Sequence, residues 1–104
     1  MTKIDVIIPA FNEQESIMQV LKDIPKEMVQ EIIVVNNNST DLTASVAEKA
    51  GVTVLNEPRR GYGQACLAGL DYLRTKAPKP DVVVFMDADY SDHPDELPHV
   101  VAPI

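Results

Sequence analysis

One cysteine, four glycines and nine basic residues are few for a chain of 104 residues. A single thiol, Cys66, excludes an intrachain disulfide and fits a reducing cytoplasm. His93 and His99 share no ligand spacing with each other or with Cys66, which speaks against a zinc site. Nine basic residues face sixteen acidic ones, for a formal net charge of -7. A phosphate backbone would be repelled, so nucleic acid is not an expected partner. No apolar stretch approaches the roughly 18–20 residues of a membrane span. The first apolar run stops at Pro9, so no signal peptide is expected. Repeats, low-complexity tracts and a Ser-His-Asp arrangement are also missing. The glycines fit neither a P-loop nor the dinucleotide fingerprint.

What is present is a globular composition, 45% hydrophobic, of a size that suits one small domain. Two periodicities alternate along it. Ile4 to Ile8 reads as a strand closed by Pro9. Asn12 reads as a helix N-cap with Glu15 three residues on, and Ile17, Val20, Leu21 and Ile24 follow at helical spacing until Pro25. Ile32 to Val35 is a second, β-branched strand. Ser39 or Thr40 can cap a second helix with Asp41 at its positive end, Val46, Ala47 and Ala50 on its apolar face, and Gly51 as its terminator. Val52 to Leu55 is a third strand. The Gly61–Gly63 turn leads into a helix with Cys66, Leu70, Leu73 and Ala77 on one side. After a loop from Lys76 to Pro80, Val82 to Met86 is the fourth strand, and a short or irregular helix is expected from about Asp95. Such alternation predicts an α/β fold, a Rossmann-like parallel sheet of order 3-2-1-4 with helices on both faces. Ligands of such sheets bind at the carboxyl ends of the strands, where the winding reverses. Strands one and four meet there.

The most unusual exits are at that point. "FMDADYSD" ends an apolar run in Asp87, Asp89 and Asp92. In an extended chain residues i and i+2 point the same way, so Asp87 and Asp89 can address one hard cation across the small Ala88. The bland alternative is a solvated loop that caps the next helix. "IIPAFNEQES" offers Pro9 and Ala10, a flat face at Phe11 and an acceptor at Glu13, or simply a strand–turn–helix joint. The amides of "VVNNNSTDLT" can read a base or ribose, or tolerate left-handed turns. "EPRRGYGQA" places Arg59 and Arg60 before a helix, an anion-binding arrangement or a solvated turn.

In order, "VIIPAFNEQESI", "EIIVVNNNSTDLT", "RRGYGQACLAGL" and "VVVFMDADYSDHPDELPHVV" resemble the start of a family-2 glycosyltransferase. The closing segment is similar to the branch that makes polyprenol-phosphate sugars. The resemblance implies a GT-A fold and reads residues 1–104 as the nucleotide-sugar-binding half of a longer domain. It implies a nucleotide site of Pro9, Ala10, Phe11, Glu13, Asn36, Asn38, Arg60, Gly61, Asp87 and Ala88, with Mn²⁺ or Mg²⁺ held by Asp87 and Asp89. Asn36 stands where the family usually has an Asp facing base or ribose, and Asn37 also departs from the common pattern, so UDP and GDP both stay open. The implied function is donor binding for transfer to an acceptor such as a polyprenyl phosphate, in cell-envelope polysaccharide synthesis at the inner face of the membrane. Acceptor site and catalytic carboxylate have no match here, so this half is not expected to turn over alone. Its missing partner half would leave apolar surface able to drive self-association. Two other readings are a non-catalytic nucleotide-binding module and a D-x-D phosphatase. The latter places its pair after the first strand rather than the fourth.

Overall fold

The computed structural model describes residues 3–76 and 79–88 and the backbone of 101–103. Strands β1 (Ile4–Ala10), β2 (Glu31–Asn36), β3 (Thr53–Asn56) and β4 (Val82–Phe85) alternate with helices α1 (Ile17–Asp23), α2 (Thr43–Lys49) and α3 (Tyr62–Thr75). The four strands are parallel in the order β3-β2-β1-β4, as the alternation predicts. A short strand, β5 (Val101–Pro103), runs antiparallel along β4. This differs from the helix expected in the tail. Residues 95–100 lie outside the described residues, but at 101–103 the backbone is extended, because the outer edge of β4 presents backbone groups that need partners.

Alternation along β1 divides the core. Val6, Ile8 and Ala10 face one side, where Ile17, Val20 and Leu21 of α1 and Ala47 of α2 cover them. Ile7 faces the other side with Ile33, Val35 and Val83, beneath Ala65 and Leu73 of α3. Each Val, Leu or Ile among them, fully buried, contributes about 1.5–3 kcal/mol. Helices therefore lie on both faces, as expected.

Several local details depart from the sequence reading. Strand β1 runs on through Pro9 to Ala10. Ala10 O accepts from Asn37 N on the β2 side, and Ile7 O accepts from Met86 N on the β4 side. By alternation Pro9 faces β4, beyond the last rung of that ladder, so its missing N–H costs nothing. Asn12 is not a cap: its φ is 52°, and α1 begins five residues later, after Ser16. The buried face of α3 is Ala65, Gly69 and Leu73, whereas Cys66 and Leu70 are half-buried. Ala77 lies outside the described residues. The helix turns its smallest residues to the sheet because they allow close approach. A Cβ on Gly69 would lie 2.8 Å from Ile7 Cγ2. Gly51 does terminate α2, with φ 83°.

Candidate functional site

The exits of β1 and β2 are zipped together by side chains accepting from backbone N–H groups. Asn12 N donates to Ser39 Oγ (2.9 Å), and Thr40 N donates back to Asn12 Oδ1 (2.8 Å). Glu13 N donates to Thr43 Oγ1 (2.8 Å), and Leu42 N donates to Gln14 Oε1 (2.8 Å). Asp41 accepts from Thr43 N (2.9 Å) and Thr43 Oγ1 (2.5 Å), so it serves the first turn of α2 in place of Ser39 or Thr40. Burial pushes the Asp41 carboxyl up, but its bonds to Thr43 and Gln14 outweigh that and hold it below its ordinary value. Across the crevice, Ser16 Oγ donates to Ala88 O (2.6 Å), fixing the exit of β4 to the start of α1.

A second staple lies under the loop that enters α3. Asn37, 8% exposed, donates Nδ2 to Glu57 O (3.1 Å) and Arg59 O (2.7 Å), and its Oδ1 accepts from Gly61 N (3.0 Å). Glu57 is buried although charged, because Arg59 answers it with Nε (3.1 Å), Nη2 (3.0 Å) and its own backbone N (2.7 Å). Those bonds hold the Glu57 carboxyl below its usual range.

Between the exits of β1 and β4 lies a cleft of about 270 Å³, lined by Pro9, Ala10, Phe11, Glu13, Asp87 and Ala88, together with Asn37, Tyr62 and Ala65. A neighbouring cavity of about 280 Å³ shares Phe11, Asn37 and Tyr62 and adds Arg60 and Gly61. Of the residues named from the sequence, six line the first space and Arg60 and Gly61 the second. Asn36 and Asn38 line neither. Asn36 donates to Asn56 Oδ1 (3.0 Å) and accepts from Ser39 N (3.2 Å). Asn38, at φ 66°, donates to Pro58 O (2.9 Å). Asp89 lies outside the described residues. The sequence reading missed Asn37 and Tyr62 as lining residues. Their signal was position: one follows a central strand, the other opens a helix.

Among the described residues no cluster of three or more His, Cys, Asp or Glu is arranged to hold a metal ion. A Mg²⁺-like cation needs no such cage, since one or two carboxylates plus ligand phosphates suffice. The cleft offers oxygen donors, Asp87 and Glu13, and so fits a hard divalent cation shared with an anionic ligand. Burial pushes the Cys66 thiol up, against a hydrogen bond from Tyr62, and the charge of Asp87 adds to the rise, which disfavours the thiolate.

At the opposite end of the sheet is a network that the sequence did not reveal. Lys76 Nζ donates to Asp5 Oδ2 (2.8 Å) and Glu31 Oε1 (2.5 Å), and Gln30 Nε2 donates to Asp5 Oδ1 (3.1 Å). Glu31 also accepts from Tyr72 Oη (2.7 Å) and Thr53 Oγ1 (2.6 Å). Burial raises the Glu31 carboxyl, but the bonds from Lys76, Thr53 and Tyr72 outweigh it and hold the group low. Burial depresses Lys76, but Asp5 and Glu31 outweigh it and hold the ammonium high.

A doubly wound sheet with its cleft at the strand reversal defines the nucleotide-binding α/β class. The family model described as glycosyl transferase family 2 matches residues 5–104, and the chain belongs to that family. An uncharacterised glycosyltransferase of Mycobacterium bovis is 43% identical over 99 residues, 95% of this chain and 42% of its own length. An undecaprenyl-phosphate 4-deoxy-4-formamido-L-arabinose transferase of Proteus mirabilis is 34% identical over 115 residues, 96% of this chain and 33% of its own. The glucosyl-3-phosphoglycerate synthase of Mycobacterium tuberculosis, in complex with UDP, superimposes with a TM-score of 0.73 at 31% identity, covering 89% of this chain and 36% of that one. The same enzyme has also been solved with Mn²⁺, UDP and glucosyl-3-phosphoglycerate, with a TM-score of 0.70. The chain thus spans less than half the length of these relatives. No helix among the described residues is long and apolar enough to cross a membrane.

Proposed function

We propose that residues 1–104 form the donor-binding half of a glycosyltransferase, holding a nucleoside-diphosphate sugar with a divalent metal. The observation that carries this is the meeting of Phe11, Glu13, Asp87 and Ala88 in one cleft at the β1/β4 reversal. Phe11, 53% exposed, offers a ring face on which a base can stack. Arg60, beside it, supplies a guanidinium for an anionic ligand in an otherwise acidic chain. Asp87, with Asp89 two residues on in the sequence, would hold Mn²⁺ or Mg²⁺, and Ala88 lines the cleft beside Asp87. A bound cation would neutralise charge that develops on the departing nucleoside diphosphate. The UDP and Mn²⁺ of the Mycobacterium tuberculosis synthase favour UDP as the nucleotide. The undecaprenyl-phosphate transferase relatives favour a polyprenyl phosphate acceptor.

Calorimetric titration of UDP and of GDP, each with Mn²⁺ and with EDTA, tests the proposal. Metal-dependent binding of UDP, weakened about tenfold or more by Asp87→Asn or Asp89→Ala, is the expected result. Equal affinity with and without metal, or in those variants, would sink it.

A further inference from the structure

Ser16 occupies the N-cap of α1, where a serine oxygen ordinarily accepts from an N–H of the first helical turn. Here the side chain makes no such bond. A hydroxyl carries one hydrogen and a carbonyl can only accept, so the 2.6 Å contact with Ala88 O takes that hydrogen. Glu13 O at 3.5 Å and Glu13 Oε2 at 3.4 Å compete for it from farther away. The group that would cap the helix thus serves a residue 72 positions along the chain.

Both ends of that bond bear on the cleft. The serine is held from behind: Ser16 N (3.1 Å) and Ile17 N (2.9 Å) donate to Glu13 O, and Glu13 N donates to Oγ1 of buried Thr43 (2.8 Å). The carbonyl lies past the sheet. Strand β4 ends at Phe85, and Met86 N still donates to Ile7 O (3.1 Å), so strand pairing does not orient the peptide of Ala88. A peptide unit is planar. The plane that contains Ala88 O also leads from Ala88 into Asp89, the second aspartate of the pair. One hydroxyl therefore ties the peptide between the two aspartates to the wall that carries Glu13.

We propose that Ser16 is a positioning residue for the divalent cation: through Ala88 O it stiffens the link from Asp87 to Asp89 and so selects a small, octahedral ion. The proposal rests on the metal and nucleotide-sugar reading of the cleft. Mg²⁺ demands near-ideal octahedral geometry at about 2.0–2.1 Å, whereas Ca²⁺ accepts oxygens at about 2.3–2.6 Å in flexible arrangements. A stiff pair of carboxylates favours the first ion, and a loose pair narrows the difference. Loss of the bond should therefore weaken binding with Mg²⁺ far more than binding with Ca²⁺. A loss of helix capping or of packing alone would weaken both alike.

The test is calorimetric titration of UDP into the wild type, Ser16→Ala and Ser16→Thr, with Mg²⁺, Ca²⁺ and EDTA in separate arms. The wild type should bind UDP more tightly with Mg²⁺ than with Ca²⁺. Ser16→Ala should lose about five- to tenfold with Mg²⁺ and less than about twofold with Ca²⁺. Ser16→Thr keeps the hydroxyl and should recover most of the affinity with Mg²⁺. No preference for Mg²⁺ in the wild type, an equal loss with both cations in Ser16→Ala, no loss there, or no recovery in Ser16→Thr overturns the role of Ser16 and leaves metal-dependent binding standing. Wild-type affinity that is the same in EDTA as with either cation removes the metal reading itself, and the proposal falls with it. If Ser16→Ala fails to fold, Ser16→Cys takes its place under the same limits, because a thiol occupies a similar position but donates only weakly.

Discussion

At the amino end of the sheet, Asp5, Glu31 and Lys76 close upon one another with Gln30, Thr53 and Tyr72 around them. At the carboxyl end, Glu13, Asp87, Phe11 and Tyr62 line an open cleft, and the supporting polar groups lie behind them. Both ends gather charge where strands stop, yet only one leaves it lining an open cleft. The difference arises from how α3 is tied. At its start, Gly61 N is held by the side-chain Oδ1 of Asn37, whose amide bonds go to backbone groups and leave the cleft side open. Just past its end, Lys76 reaches down to Asp5, which is 0% exposed, and a buried carboxylate requires a cation of its own. A polar cluster at a strand end is therefore not a site in itself. What separates the two is whether the charges are consumed locally.

The sharpest way to break the comparison is Lys76→Met. It would strand the Asp5 carboxylate with Gln30 alone and should cost about 3–5 kcal/mol in urea unfolding. Nucleotide affinity of the folded fraction should stay unchanged, and a matching loss of affinity would show the two ends to be coupled. Gly69→Ala tests the shared element, because its methyl would press on Ile7. Lifting α3 in this way should cost about 1–3 kcal/mol, and here affinity should fall as well. A fully stable, fully binding variant would mean that α3 moves without consequence. Phe11→Ala should act at the open end only. Unfolding should be nearly unaffected, while UDP affinity falls about tenfold with the lost base stack.

The smallest effect expected is on pH dependence. Glu31 is held below its ordinary 4.5, so its contribution is present above that value and lost as pH falls through the lower folded value. Lys76 is held above its ordinary 10.5, so its contribution is present below that value and lost as pH rises through the higher folded one. Tyr72 is also raised, first by its bond to Glu31 and then by burial, and its share likewise fades on the alkaline side. A stability plateau between these limits, lowered in Lys76→Met and with both limbs flattened because the shifts that produce them are reduced, is the expected profile in melts from pH 3 to 11. Unchanged limbs in that variant would assign the acid and alkaline transitions to other groups.

Strand–helix alternation, β-branched runs and chain reversal at Pro25 and Gly51 were legible along the chain, because each depends on neighbours within a few residues. So was the meeting of the β1 and β4 exits, since right-handed crossovers leave little choice of order. Six of the residues read as nucleotide contacts do line the cleft. The roles of the three asparagines were not legible, because an amide's partners can be twenty residues away. Asn37 met Glu57, Arg59 and Gly61, and Asn38 met Pro58. The same distance in sequence hid Lys76 from Asp5, which are separated by 71 positions and touch. The register of α3 also escaped a reading by apolar spacing, because close approach at Gly69 outweighed the burial of larger side chains. Sequence by itself determined the layered α/β fold and the end of the sheet at which chemistry collects. Only the tertiary structure decided which polar side chains hold loops and which line the cleft, because a hydrogen bond is assigned by distance in space and periodicity reports only distance along the chain.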